Sequence, residues 1–376
     1  MIYNDWNEIN MDRIAGQLNR INGKIFLGID GFVDEVWQIV ETRQSSGKWD
    51  VFTEMKRFAT AVLDCGEGGF SHEIIKKRRS YGGFTANTGQ AAGRLGCNPT
   101  MISLFGKDAI DPAFKAITDL YEVISVGDPG LSQIYEFNDG KIMLPYIEDV
   151  MDFNWERLTR AVDIKALKAI LAQCVVVALG YWSLTPAFDE LVTNLCGLLE
   201  EGAGKRLFFD FADIRKKDGD SLRKTLALLA SLNGKFPMTL SLNEHEAALL
   251  FSFLDEPFDM DGEETEYHID NIRKRIGLDE VIVHTPHWSA GACVRDGGAV
   301  VIQDFCHNPV ITAGAGDNFN AGYLAAHLAS LNLREKLAAG NAAAYFYLSN
   351  GFSPDRAELI DEMTQIRKAL YDRNGL

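Results

Sequence analysis

The stretch Ile311-Thr312-Ala313-Gly314-Ala315-Gly316-Asp317-Asn318-Phe319-Asn320-Ala321-Gly322 decides how this chain is read. An apolar, strand-like run at 300–305 precedes it, and a helical pattern runs from Asp317 to about residue 330. Small side chains at 313–316 let backbone N–H groups crowd round an anion at a helix N-terminus. A carboxylate in the first helical turn, Asp317, then stands beside that anion, where it can take a proton from an attacking hydroxyl. The same residues would equally serve as a tight turn followed by a helix cap.

A second glycine segment lies far upstream: Tyr81-Gly82-Gly83-Phe84-Thr85-Ala86-Asn87-Thr88-Gly89-Gln90-Ala91-Ala92-Gly93-Arg94-Leu95-Gly96. Gly82 and Gly83 permit close backbone approach, and Asn87 offers the donor and acceptors that polyols require. Gly89, Ala91, Ala92 and Gly93 would also suit a close helix–helix contact.

Short apolar runs alternate with amphipathic stretches around these segments. Residues 24–28 read as a buried strand, with further strands at 100–105, 175–179, 206–211, 238–242 and 280–284. Helical spacing marks 155–172, 187–201 and 221–232. Strands fed by crossover helices imply a mostly parallel sheet covered on both faces. Two regions break the alternation. Residues 35–55 show period-two character, and 132–147 contain Asn138-Asp139-Gly140 between extended flanks, a hairpin signal. Both are assigned to a small separate sheet over the main one, within a single domain spanning 1–376. A hairpin at 292–295 and 299–304 is expected to continue the edge of the large sheet.

Composition sets outer limits. The 376 residues are 47% hydrophobic and 24% charged, enough for a full core and against wholesale disorder. No apolar run reaches the ~18 residues of a membrane span, and the first 20 residues lack a signal-peptide layout. The formal charge is −16, from 37 basic and 53 acidic residues. A field of that sign argues against general nucleic-acid or anionic-membrane binding but allows a local cationic pocket for phosphates. Six cysteines are scattered without a CxxC pair, and seven histidines show no HExxH, so neither a disulfide framework nor zinc is expected. A reducing cytoplasm is the simpler setting.

The two glycine segments, in this order and this far apart, resemble the paired signatures of the PfkB/ribokinase family of carbohydrate kinases, Gly-Gly-x-x-x-Asn and Gly-Ala-Gly-Asp. Gly28 with Asp30 and Asp34, Gly106-Lys107-Asp108, residues 210–215 and Asn243-Glu244-His245-Glu246 fill the space between, so the resemblance covers about residues 24–352. It implies a ribokinase-like α/β fold whose small sheet acts as a lid. The activity it implies is ATP-dependent phosphorylation of a hydroxymethyl group on a small sugar. Asp317 would be the general base, with the amides of Ala313, Gly314, Ala315 and Gly316 as anion hole beside Thr312. Asp34 or Asp30 would bind sugar hydroxyls together with Gly83 and Asn87. Asn243 and Glu246 would organise magnesium, water and phosphates with no direct protein ligand to the metal, and Asn341 would border the adenine pocket. The bland alternatives are a capping box for Asn243 and Glu246 and packing for Asn341. A homodimer through the lid is also implied, with an apolar surface around Val36, Trp37 and Ile39 to support it.

Three departures from the family pattern bear on specificity. Ile311 stands where a carboxylate is common, removing a frequent contact to sugar or to the loop that holds a monovalent cation, so potassium activation is not expected. The usual Thr-x-Gly-x-x-Gly is replaced by His284-Thr285-Pro286-His287-Trp288-Ser289-Ala290-Gly291. Phe84 occupies a position that is polar in some relatives, which points away from a ribokinase-like pocket. The basic run Lys76-Lys77-Arg78-Arg79 reads as a solvated helix face near the lid, or as a means of steering an anionic substrate. Rival functions on the same fold are a nucleoside kinase, an ADP-dependent sugar kinase and a non-catalytic sugar- or nucleotide-sensing protein. A nicotinamide-dependent enzyme would need a Gly-x-Gly-x-x-Gly at its first helix, which is missing.

Overall fold

The computed structural model describes residues 5–258 and 264–373. Its strands, in chain order, are β1 (Lys24–Gly28), β2 (Phe32–Ser45), β3 (Lys48–Val51), β4 (Ile74–Gly82) and β5 (Asn98–Ser103). They continue as β6 (Glu122–Ser125), β7 (Gly130–Phe137), β8 (Gly140–Tyr146), β9 (Cys174–Gly180) and β10 (Arg206–Asp210). The last four are β11 (Met238–Asn243), β12 (Glu280–His284), β13 (Trp288–Cys293) and β14 (Gly297–Ile302).

Nine strands form the main sheet in the order β14-β13-β12-β11-β10-β9-β1-β5-β6. All neighbours from β12 to β6 are parallel, while β13 and β14 run antiparallel at one edge. The innermost strands β1, β9 and β10 carry charged or polar side chains only at their ends because both faces are covered, as the run Val176-Val177-Ala178-Leu179 shows. Alternate residues feed two cores. Phe26, Val177, Phe209, Leu240 and Val283 pack on one face. Leu27, Val176, Ala178, Phe208 and Ile282 pack on the other, together with the helices Ala315–Leu328 and Leu333–Asn350. Strand order reverses between β1 and β9, so the crevice for a ligand lies beyond the carboxyl ends of these strands. Asp30, Asp210, Asn243 and His284 all sit at or just past those ends.

The second sheet has five strands. β2 is central, flanked by β4 and β7 near the main domain and by β3 at its far end, with β8 outside β7. Its Asn138-Asp139 turn joins β7 to β8 as the hairpin signal predicts. Several expectations need correction. The sheet starts at Phe32 rather than 35, and a third segment, β4, belongs to it. The basic run at 76–79 is therefore a strand and not a helix face. Lys76 and Arg79 pair with Glu35 on the neighbouring strand, Arg78 with Glu136, and Arg79 again with Asp111 through two bonds of 2.6 and 2.7 Å. A helix at Met55–Asp64, not anticipated, lies beside the sheet, where Phe58 meets Phe52, Phe70 and Phe137 at 5.5–5.6 Å. Val36 and Ile39 are buried, and the half-buried Trp37 ring lies under the Lys76 ammonium at 4.6 Å. The apolar surface expected around them is thus already covered within the chain. The stretch at 155–172 is two helices, Trp155–Ala161 and Ile164–Gln173, because Asp163 caps the second from outside. The edge hairpin is present with shifted bounds, ending at Ile302 instead of 304.

Candidate active site

The helix Ala315–Leu328 begins on Gly314, whose φ of +90° only glycine adopts without strain. No side chain caps this N-terminus. Asp317, in its first turn, is not a cap either. Its carboxylate reaches across to the helix Phe84–Arg94, where Asn87 Nδ2 donates to its Oδ2 at 2.8 Å and Thr88 Oγ1 lies 3.4 Å from its Oδ1. The two glycine segments therefore meet at Asp317, which Asn87, 230 residues earlier, and Thr88 both contact. Burial, and then the nearby charge of Asp210, hold the Asp317 carboxyl well above the usual carboxylate range.

Two cavities flank the glycine turn. The first, about 400 Å³, is lined by Asp34, Arg78, Ser80, Asn87, Gln90, Lys141, Ala313, Asn318 and Tyr347, with Ile311 and Phe352 as apolar walls. The second, about 390 Å³, is more apolar: Pro286, Phe305, Phe319, Ala344 and Leu348 surround it, with Asn243, His284, Ala315 and Gly316 at the turn side. Thr312 and Pro309 line both. The turn is thus the wall that the two share.

Asp34 and Asp30 prove to have different environments. Asp34, on β2, faces the first cavity, and burial raises its carboxyl pKa while a hydrogen bond with Ser132 and the charges of Lys141 and Arg78 lower it. Asp30 lines neither cavity. It is buried, and its Oδ1 accepts from the N–H and the hydroxyl of Thr85 at 3.0 and 2.7 Å. Its other oxygen lies against Gly83, where a Cβ would stand 2.2 Å away. Asp30 closes the N-terminus of the helix Phe84–Arg94 from outside, and burial pushes its pKa up to about 6. Gly83 serves this approach and is not a cavity wall.

Asn243 and Glu246 form the capping box that was the bland alternative, with both reciprocal bonds at 3.0 Å. Glu246 also faces Asp210 electrostatically: burial first, then Asp210, raise it to about 9. Asp210, half-buried at the end of β10, accepts from Asn320 Nδ2 at 2.7 Å, and Asn320 accepts in turn from Ser241 at 2.7 Å. Burial raises its pKa too. Asn341 lies away from the second cavity; it is fully buried and donates to Val301 O at 3.1 Å, so its placement is that of a packing residue. Phe84 is buried beside Gly180 and Phe208 and lines neither cavity.

Sequence reading missed Arg78, Lys141, Gln90 and Tyr347 as cavity residues and assigned Asp210 no role. Asp210 carried a usable signal, a carboxylate at the carboxyl end of a parallel strand. Gln90 carried one too, three residues after Asn87 on the same helix face. Arg78, Lys141 and Tyr347 carried none, because their approach depends on the path of the second sheet and of the helix Leu333–Asn350. Among the described residues no group of three or more His, Cys, Asp or Glu side chains is placed to hold a metal by itself, and no helix is long and apolar enough to cross a membrane.

Solved structures place this architecture among kinases of the ribokinase fold. A ribokinase from Arabidopsis thaliana complexed with ribose and ATP superposes with a TM-score of 0.64 at 17% identity, covering 91% of this chain and 98% of that one. A carbohydrate kinase from Agrobacterium tumefaciens gives 0.62 at 17% identity, covering 92% and 98%. Residues 13–365 match the family model for prokaryotic ketohexokinase, and the chain belongs to that family. A ketohexokinase of Haloferax volcanii is 27% identical to it over 345 residues, 90% of each chain. The protein is accordingly a sugar kinase, a phosphotransferase with an alcohol group as acceptor.

Proposed function

We propose that this kinase transfers the γ-phosphoryl group of ATP to a hydroxymethyl oxygen of a ketohexose. The supporting observation is the glycine turn as a shared wall. A polar cavity bearing Asp34 and Asn87 lies on one side, an apolar one suited to a base on the other, and Asp317, which lines neither, is bonded to Asn87 of the first. Asp34 and Asn87 orient the sugar. Asp317 takes the proton of the hydroxymethyl oxygen as that oxygen attacks the γ-phosphorus in line, and the bond to the bridging oxygen breaks to release ADP. Amides of 313–316 meet the equatorial oxygens, where preorganised donors cost no rearrangement.

Magnesium fits the residues present. Glu246 is a buried acid whose proton affinity the neighbouring charge of Asp210 raises further, an arrangement that a nearby cation relieves. The ion would be held mainly by the triphosphate, with these two carboxylates as outer partners, and it would neutralise phosphate charge. The five-stranded sheet would act as the lid that excludes water. Its outer strand β8 exposes Leu144 and Tyr146 on one face, an apolar pair through which two copies would pack as a homodimer in the cytoplasm.

ADP release over a panel of ketohexoses, aldoses and nucleosides, with ATP or ADP as donor, tests this reading. It predicts the highest kcat/KM for a ketohexose with ATP. Preference for a nucleoside, or absence of turnover on any member, would contradict it.

A further inference from the structure

The direction of one anion-hole amide is set by a side chain far from it in sequence. Tyr347, in the last turn of the helix Leu333–Asn350, donates its hydroxyl to Ala313 O at 2.8 Å. A peptide unit is planar and trans, so a carbonyl and the following N–H point in opposite directions. Wherever Tyr347 holds the Ala313 carbonyl, the Gly314 N–H is aimed the other way. The next plane is held too: Asn318 donates to Gly314 O from its backbone at 3.0 Å and its side chain at 2.9 Å, and the Ala315 N–H donates back to Thr312 O at 3.4 Å within the turn. Leu348, next to Tyr347, accepts from Val310 N–H at 2.8 Å, so the chain entering the turn is tied to the same helix end. The fit is close, since a Cβ on Gly314 would stand 3.1 Å from the Tyr347 oxygen. Burial holds the phenol pKa well above its usual range, so the hydroxyl remains a donor throughout the working pH.

We propose that Tyr347 is a positioning residue for phosphoryl transfer, acting through the Ala313 carbonyl to aim the Gly314 N–H at the transferring group. The proposal rests on the reading of the turn as the phosphoryl site. Tyr347 also lines the sugar cavity, so a direct sugar contact and simple packing are the competing roles, and kinetics separate them.

Tyr347→Phe deletes the hydroxyl alone. The expected result is a fall in kcat of about 10- to 100-fold, less than the full loss of a donor pointed at the transition state. Sugar KM should stay within about twofold, and the acid limb of the pH profile should not move. Affinity for ADP with aluminium fluoride, a mimic of the phosphoryl group in flight, should weaken in step with kcat while ADP alone binds as before. A raised sugar KM at unchanged kcat would make Tyr347 a substrate contact and overturn the proposal. A lowered Tm with kcat and fluoride affinity unchanged would make it packing and overturn it equally. Asp317→Asn measured alongside keeps the two levels apart. If that variant loses turnover and Tyr347→Phe does not, only the role of Tyr347 fails. If Asp317→Asn turns over normally, the reading of the whole turn fails with it.

Discussion

Two helices of this kinase begin on a glycine with φ of +90°, Gly83 and Gly314, and neither glycine has a side chain with which to cap. The chain closes the first with its own anion: Asp30, arriving from the end of β1, accepts two hydrogen bonds at Thr85. At the second start the nearest carboxylate, Asp317, turns away to Asn87 on the other helix. One backbone geometry thus yields a structural joint in one place and, on the proposed reading, an anion-receptive helix end in the other. What separates them is where a single carboxylate points, and that is a property of the tertiary fold.

Alanine at the two glycines should break this symmetry most visibly. Gly314→Ala is expected to lower kcat by about 100-fold, because the turn must shift to relieve the positive φ and the approach to Tyr347. Its melting temperature should fall by only a few degrees, as suits ~1–2 kcal/mol of backbone strain. Gly83→Ala drives a Cβ to 2.2 Å from Asp30, so the expected cost is in folding, about 3 kcal/mol or more, read by chemical denaturation. Equal turnover losses at matched stability would erase the distinction.

The internal anion should also leave a signature in stability. Asp30 is raised in the folded state to about 6 from 3.8. Its contribution to stability is therefore fully present below about pH 4 and lost as pH rises through 6. Asp30→Asn keeps an acceptor for Thr85 but removes the titration. Relative to wild type, the variant should gain on the order of 2–3 kcal/mol between pH 4 and pH 7. Parallel denaturation curves for the two proteins across that window would show that Asp30 is not the buried acid described.

A smaller effect is expected at Asp210, whose charge helps hold Asp317 above the usual carboxylate range. Asp210→Asn should move the acid limb of the kcat profile to lower pH, since an ionised Asp317 then meets less repulsion. The amide keeps one acceptor oxygen for the two donors that Asp210 satisfies, Ala212 N–H and Asn320 Nδ2, so one of them loses its partner, at about 1–3 kcal/mol in stability. A limb that stays in place would separate the two carboxylates electrostatically.

The parts of this molecule legible in sequence were those that local chemistry determines. Strands such as β9 and β12, buried on both faces, read as continuous apolar runs, and the two glycine segments read as helix starts near a ligand. β4 did not, because its Lys76, Arg78 and Arg79 find their partners on other segments, at Glu35, Glu136 and Asp111, so the strand needs no apolar alternation. Asp30 and Asp34, four residues apart, looked interchangeable until the fold sent one beneath a helix and the other into a cavity. Asn341 looked like a pocket residue and is held by β14. Tyr347 could not be found, since nothing local ties it to a carbonyl 34 residues earlier.

The claim on which the rest depends is that Asp317 is the base. Asp317→Asn preserves size, the Asn87 contact through an amide oxygen and any capping capacity, since Asn caps about as well as Asp, but it cannot take a proton at neutral pH. Turnover on the best ketohexose, measured with ATP affinity and melting temperature on the same preparation, gives the test. The account predicts a kcat lower by on the order of 10²–10⁴ with fold and ATP binding retained. Near-normal kcat in a folded, ATP-binding variant would contradict it.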